Sequence, residues 1–128
     1  MAVIIDSSVA IDLLHGERLT AVQTALAEGS LVLSPLVVTE VLSGDLSLAQ
    51  RATFGEFLQD YPMHPTPLEH WINVGNLRRM LAFRGINATI PDAHVAQCAL
   101  DLDATLLTRD EIFTRIAAHT TLRLGQLR

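Results

Sequence analysis

The chain has no lysine and one cysteine, and both scarcities narrow what it can be. Cys98 has no second cysteine to pair with, so no disulfide framework holds the fold. Its setting, Asp92-Ala93-His94-Val95-Ala96-Gln97-Cys98-Ala99-Leu100, suits a small buried apolar side chain better than a nucleophile. The missing lysine argues against a receiver-like signalling module, which shares the length and strand-end aspartates but needs a strand-end lysine. Neither GxGxxG nor a GKS or GKT loop is present, which disfavours dinucleotide and nucleotide enzymes. A metal-dependent adhesion module would want Asp-x-Ser-x-Ser, and Asp6-Ser7-Ser8-Val9-Ala10 lacks the second serine in register. His15, His64, His70, His94 and His119 are scattered with no HxxxH or HxH pair, so each is read as structural or surface. No apolar run approaches the ~20 residues of a membrane span, and the N-terminus opens into a short strand instead of a basic leader. A soluble, cytoplasmic protein with no membrane partner is expected.

What is present is charge, unevenly placed. The net charge is −5, which at first argues against a nucleic-acid partner. Yet residues 1–64 carry two arginines against eight acids, and residues 65–128 seven arginines against six. Every fixed cation is an arginine, the side chain best shaped for bidentate phosphate contacts. Arg78, Arg79 and Arg84 fall together at one helix end, where they either guide a phosphate backbone toward an acidic site or simply face solvent.

Short apolar runs alternate with helical patterns, and no linker, repeat or low-complexity tract interrupts them. This predicts one α/β domain over residues 1–128 with right-handed crossovers and a mainly parallel sheet. A chain of 128 residues can bury roughly two-thirds of its unfolded surface, enough for a proper core. Predicted strands are residues 2–6, 30–34, 62–64, 104–108 and 121–124. Pro35 and Pro91 suit helix first turns, Ser34 an N-cap, and Gly16, Gly44 and Gly85 helix stops. Trp71, Val74, Leu77 and Leu81 predict one buried stripe on the helix after Pro67.

Four carboxylates lie at the edges of apolar segments: Asp6, Glu40, Asp92 and Asp110. Asp6 ends the run Ala2-Val3-Ile4-Ile5, and Asp110 follows Ala104-Thr105-Leu106-Leu107-Thr108 by two residues. Both therefore fall past the carboxyl end of a buried strand, where an open parallel sheet forms its ligand crevice. Simple structural roles exist for three of them. Asp6 can cap the helix that begins Ser7-Ser8-Val9, Asp92 can face the dipole of the helix after Pro91, and Asp110 can cap Glu111 to Ala118. Glu40 resists such an account, because a carboxylate among Val37, Val38, Val41 and Leu42 is costly to bury unpaired. If the four converge, each pair ~4 Å apart repels by ~4 kcal/mol at an effective dielectric of 20, which a divalent cation would offset. All-oxygen ligands suit Mg²⁺ or Mn²⁺. Ser8 is placed to orient either the Asp6 carboxylate or a metal-bound water. Asp12 is expected to be solvated, and Asp101 and Asp103 to be turn residues.

These segments together resemble PIN-domain ribonucleases, and most closely the toxin component of VapBC type II toxin–antitoxin pairs. The resemblance covers nearly the whole chain. It rests on Ile4-Ile5-Asp6-Ser7-Ser8-Val9, Ser34-Pro35-Leu36-Val37-Val38-Thr39-Glu40-Val41, Gly85-Ile86 with Ile90-Pro91-Asp92-Ala93-His94-Val95-Ala96, and Ala104-Thr105-Leu106-Leu107-Thr108-Arg109-Asp110-Glu111-Ile112-Phe113. It implies an α/β/α sandwich around a mainly parallel sheet and metal-dependent endonucleolytic cleavage of RNA, leaving 5′-phosphate and 3′-hydroxyl ends. By the same resemblance Asp6, Glu40, Asp92 and Asp110 form the catalytic, metal-binding quartet, with Thr108 supporting it. A homodimer and a cognate antitoxin partner are also implied. One departure stands out: many relatives carry a further Asp directly before the phenylalanine, where this chain has Ile112, with Glu111 one residue earlier. A catalytically silent PIN-like binding module is the alternative reading, against which retention of all four acids counts.

Overall fold

A computed structural model describes all of residues 1–128. The chain runs β1 (Val3–Ile5), α1 (Ser7–Leu14), α2 (Thr20–Glu28), β2 (Leu31–Val32), α3 (Pro35–Ser43), α4 (Leu48–Asp60), α5 (Leu68–Phe83), α6 (Ile90–Leu102), β3 (Thr105–Leu107), α7 (Ile112–Ala117) and β4 (Arg123–Leu124). The strands form one sheet in the order β2-β1-β3-β4, parallel throughout. Helices flank it, as the apolar strands require. Ile4, Ile5, Leu31, Leu106 and Leu107 are all buried, so the inner strands show no polar alternation and must be covered on both faces.

Helix boundaries follow from local chemistry. Ser34 accepts from the Val37 amide (3.2 Å) to start α3 with Pro35 in its first turn, and Thr89 does the same for the Asp92 amide (3.2 Å) to start α6 ahead of Pro91. Ser47 and Gln50 form a reciprocal capping box at α4. Gly85, at φ +77°, takes the left-handed conformation that turns the chain out of α5.

Four expectations need correction. The strand expected at residues 62–64 is a single parallel bridge between Leu33 and Met63, because Pro62 has no N–H with which to extend a ladder. The buried stripe of α5 is His70, Val74, Leu77 and Leu81, while Trp71 is 39 % exposed. A polar residue thus holds the inward position that the apolar pattern assigned to tryptophan. Asp101 is no turn residue but lies in the last turn of α6, while Asp103 does sit in the turn before β3, as the left-handed cap that ends the helix (φ +50°). Asp12 is not simply solvated: its carboxylate accepts from Arg109 Nε, tying α1 to the segment after β3.

The core is one continuous cluster of 27 buried residues drawn from β1, β2, β3 and all seven helices.

Candidate active site

Parallel strands point their carboxyl ends the same way, so whatever follows them converges on one edge of the sheet. Ile5 pairs with Leu107 in register, which places Asp6 and Thr108 side by side just beyond the sheet. The Thr108 hydroxyl donates to Asp6 Oδ2. On the other oxygen, Asp6 Oδ1 accepts from the Ser8 hydroxyl (2.6 Å) and from the Val9 amide (3.1 Å). Asp6 therefore caps α1, as its sequence position suggests, while being only 5 % exposed. Capping fixes its orientation and leaves the capacity of a carboxylate for further ligation, since two oxygens offer about four lone-pair directions.

Glu40 comes from the second turn of α3 and Asp92 from the first turn of α6. Burial raises the Glu40 carboxyl above its ordinary pKa of 4.5, and the negative charges of Asp92 and Asp6 push it further the same way. These three acids, far apart in sequence, thus share one electrostatic environment. Asp110 stands differently. It is exposed, its amide donates to Thr108 Oγ1 (3.0 Å), and its Oδ1 accepts from the Ile112 amide (3.1 Å). It reaches Asp6 through Thr108, and it performs the helix-start role at α7. Ile112 is half-buried and packs against the core, whereas Glu111 is exposed with no side-chain bond at the start of α7.

The donor set is all oxygen: carboxylates from three elements that repel one another. Such an arrangement fits a hard divalent cation of the Mg²⁺ or Mn²⁺ kind, whose charge would relieve the repulsion and whose preference is for oxygen.

Sequence reasoning missed a second polar constellation beside this one. His64, His70 and His94, scattered in sequence, meet in the interior. His94 Nε2 lies 2.5 Å from Ser34 Oγ, His94 Nδ1 2.7 Å from His70 Nε2, and His70 Nδ1 donates to Asp101 Oδ2 (2.6 Å). His64 accepts the Thr66 amide at Nδ1 (2.9 Å), so its Nε2 carries the proton given to the same Asp101 oxygen (2.9 Å). With all rings neutral the chain has one direction: Ser34 donates to His94, His94 to His70, and His70 to Asp101. Burial, then the neighbouring His70 and His64, lower the His94 pKa to about 4. Burial alone would raise Asp101, but hydrogen bonds from Gln97, His70 and His64 outweigh it and hold the carboxyl below its ordinary value. Trp71 stacks on the His94 ring at 4.8 Å and 11°. His64, His70 and Cys98 bring ligand-type atoms within 4.8 Å of one another. Their lone pairs are largely committed to this network, however, and burial pushes the Cys98 thiol up to about 12, so it stays protonated as a structural residue would. The available signal was His70 at the helical spacing of a buried stripe, four residues before Val74.

The sequence matches the PIN domain family over residues 3–119. The chain belongs to the PIN-domain family. Among solved structures, its fold is similar to DNA-bound VapBC from Salmonella typhimurium, with TM-score 0.84 and 19 % identity over 100 % of this chain and 99 % of that one. It is likewise similar to VapBC2 from Rickettsia felis bound to a promoter DNA fragment (TM-score 0.80, 18 % identity, 98 % of each chain). A third is VapBC-1 from nontypeable Haemophilus influenzae (TM-score 0.77, 17 % identity, 99 % and 98 % of the two chains). No curated protein sequence matches this one significantly.

Proposed function

We propose that this protein is a metal-dependent endoribonuclease, the toxin of a toxin–antitoxin pair, acting in the cytoplasm as one catalytic domain. The observation that carries the reading is Asp6, held by three donors just past the carboxyl end of a buried parallel strand, with Glu40 on α3 and Asp92 on α6 close enough for the three charges to act on one another. Three acids forced together at the carboxyl edge of a parallel sheet are unfavourable without a cation and useful with one. Asp6, Glu40 and Asp92 would hold Mg²⁺ or Mn²⁺, with Asp110 completing the set and Ser8 and Thr108 supporting it. A divalent cation there would polarise the attacking water and neutralise charge developing on the phosphate oxygens. The chain's own part is positional. Asp6 is locked by three donors and cannot rotate away, while Glu40 and Asp92 approach from two helices whose starts are fixed by Ser34 and Thr89.

Similarity to VapBC structures supports an antitoxin as partner. An arginine from its tail, paired with the acids, would exclude metal and RNA alike. A homodimer is part of the same reading.

The test is cleavage of RNA in Mn²⁺. Asp6→Asn and Asp92→Asn keep the side-chain volume and remove a charge, and each is expected to lower the rate more than about a hundredfold. Wild-type protein inert on RNA would favour the catalytically silent reading, and full activity in a folded Asp6→Asn variant would remove these acids from the mechanism.

A further inference from the structure

We infer that the carboxyl-terminal half of α5 and the loop into α6 form a docking track for single-stranded RNA, on which Arg79 holds phosphate and Phe83 stacks a base. The proposal rests on the nuclease reading for the identity of its nucleic acid, and it concerns a surface apart from the acids. Residues 70–91 contain no Asp or Glu although the chain as a whole carries −5. Within that span Arg78, Arg79 and Arg84 pair with no carboxylate, whereas Arg109, Arg123 and Arg128 are all bound in ion pairs elsewhere. Arg78 is partly committed, its Nε donating to the Ala88 carbonyl (2.9 Å) and so shaping the loop. Arg79 is not, and it borders three depressions, one of which, about 330 Å³, is lined by Gly75, Arg78, Ala82, Ile86, Asn87 and Ala88 as well.

Phe83 is 77 % exposed with the Arg79 guanidinium 5.1 Å from its ring centroid. An exposed aromatic beside an unpaired arginine is the pairing that single-stranded nucleic acids use, because every base has a face to stack and every linkage a phosphate to hold. Gly75 adds to this. It lies inside α5 with open space where a side chain would be, a placement that costs helix stability and leaves the backbone open to close approach. The track also leads to the acids. Asn87 and Ala88 on its wall are followed by Thr89, whose hydroxyl caps α6 one turn from Asp92.

The experiment measures binding of a short fluorescent oligouridylate by anisotropy, in EDTA so that nothing is cut, across a salt series. Arg79→Gln is expected to weaken binding about tenfold and to reduce the salt slope by roughly 0.7. Phe83→Leu is expected to weaken it about tenfold with the slope unchanged, since stacking releases no counterion. In Mn²⁺ both variants should raise KM and leave kcat as it was. Unchanged affinity in both variants overturns the proposal, as does wild type that fails to bind. Affinity lost only in step with dissociation of a dimer in sedimentation would assign the face to a second copy and overturn it as well. RNA bound through Arg79 and Phe83 but never cleaved would leave the track standing and remove the nuclease reading.

Discussion

Asp6 takes three donors on its two oxygens, and the one from Thr108 ties two strands together across the site. Removing that hydroxyl leaves a nearly buried carboxylate short of a partner. Thr108→Val is therefore expected to cost about 1–3 kcal/mol in denaturant unfolding and to weaken Mn²⁺ binding about tenfold or more. Equal stability and equal metal affinity would show that Thr108 only fills space. Glu40 behaves oppositely, because its ionised form is disfavoured in the folded state. A carboxyl raised on folding makes the metal-free protein lose stability as pH rises from the ordinary value of 4.5 through the raised one. Glu40→Gln removes this loss, so without metal the variant should melt higher than wild type at neutral pH and show a flatter pH dependence. A lower melting temperature would mean that Glu40 is held by a compensating contact.

Helices α3 and α6 meet through Ser34 and His94, the same elements that deliver Glu40 and Asp92. Ser34→Ala takes away the α3 cap and the donor to His94 at once. The expected cost is about 2–3 kcal/mol, with RNA cleavage falling because α3 loses its fixed start. Activity intact alongside the stability loss would separate the network from the site. The same junction sets an acid limit. His94 is fully buried, with its pKa lowered from 6.5 to about 4, so the unfolded chain binds a proton that the folded one refuses between those values. Stability must then rise with pH across that window and be lost as pH falls through it, by up to about 3 kcal/mol. Asp101, held below its ordinary 3.8, adds its own loss only at still lower pH. Urea unfolding from pH 7 to 4 checks this, and a level profile would mean that His94 is not kept neutral.

At the scale of the molecule, a cation that binds only the folded chain stabilises all of it. A concentration a hundredfold above Kd contributes about 2.7 kcal/mol, so millimolar Mn²⁺ should raise the melting temperature, EDTA should reverse it, and Glu40→Gln should shrink the shift. A melting curve indifferent to both would count against convergence of the acids.

The sequence by itself determined the class of fold and singled out the four acids proposed for the site. Apolar strands without alternation demand cover on both faces, Ser34-Pro35 and Thr89 with Pro91 start helices by local chemistry, and an acid after a buried strand has one edge of a parallel sheet to occupy. What only the tertiary structure decided is who meets whom. That Asp92 and Asp6 raise Glu40, that Asp110 reaches the group through Thr108, and that three scattered histidines line up from Ser34 to Asp101 all depend on helices crossing, which no local spacing encodes. Trp71 and His70 show the difference within one turn. Either fits the periodic stripe of α5, and the choice went to His70 because its inward position lay within reach of Asp101 and His94, partners that satisfy both ring nitrogens as burial requires.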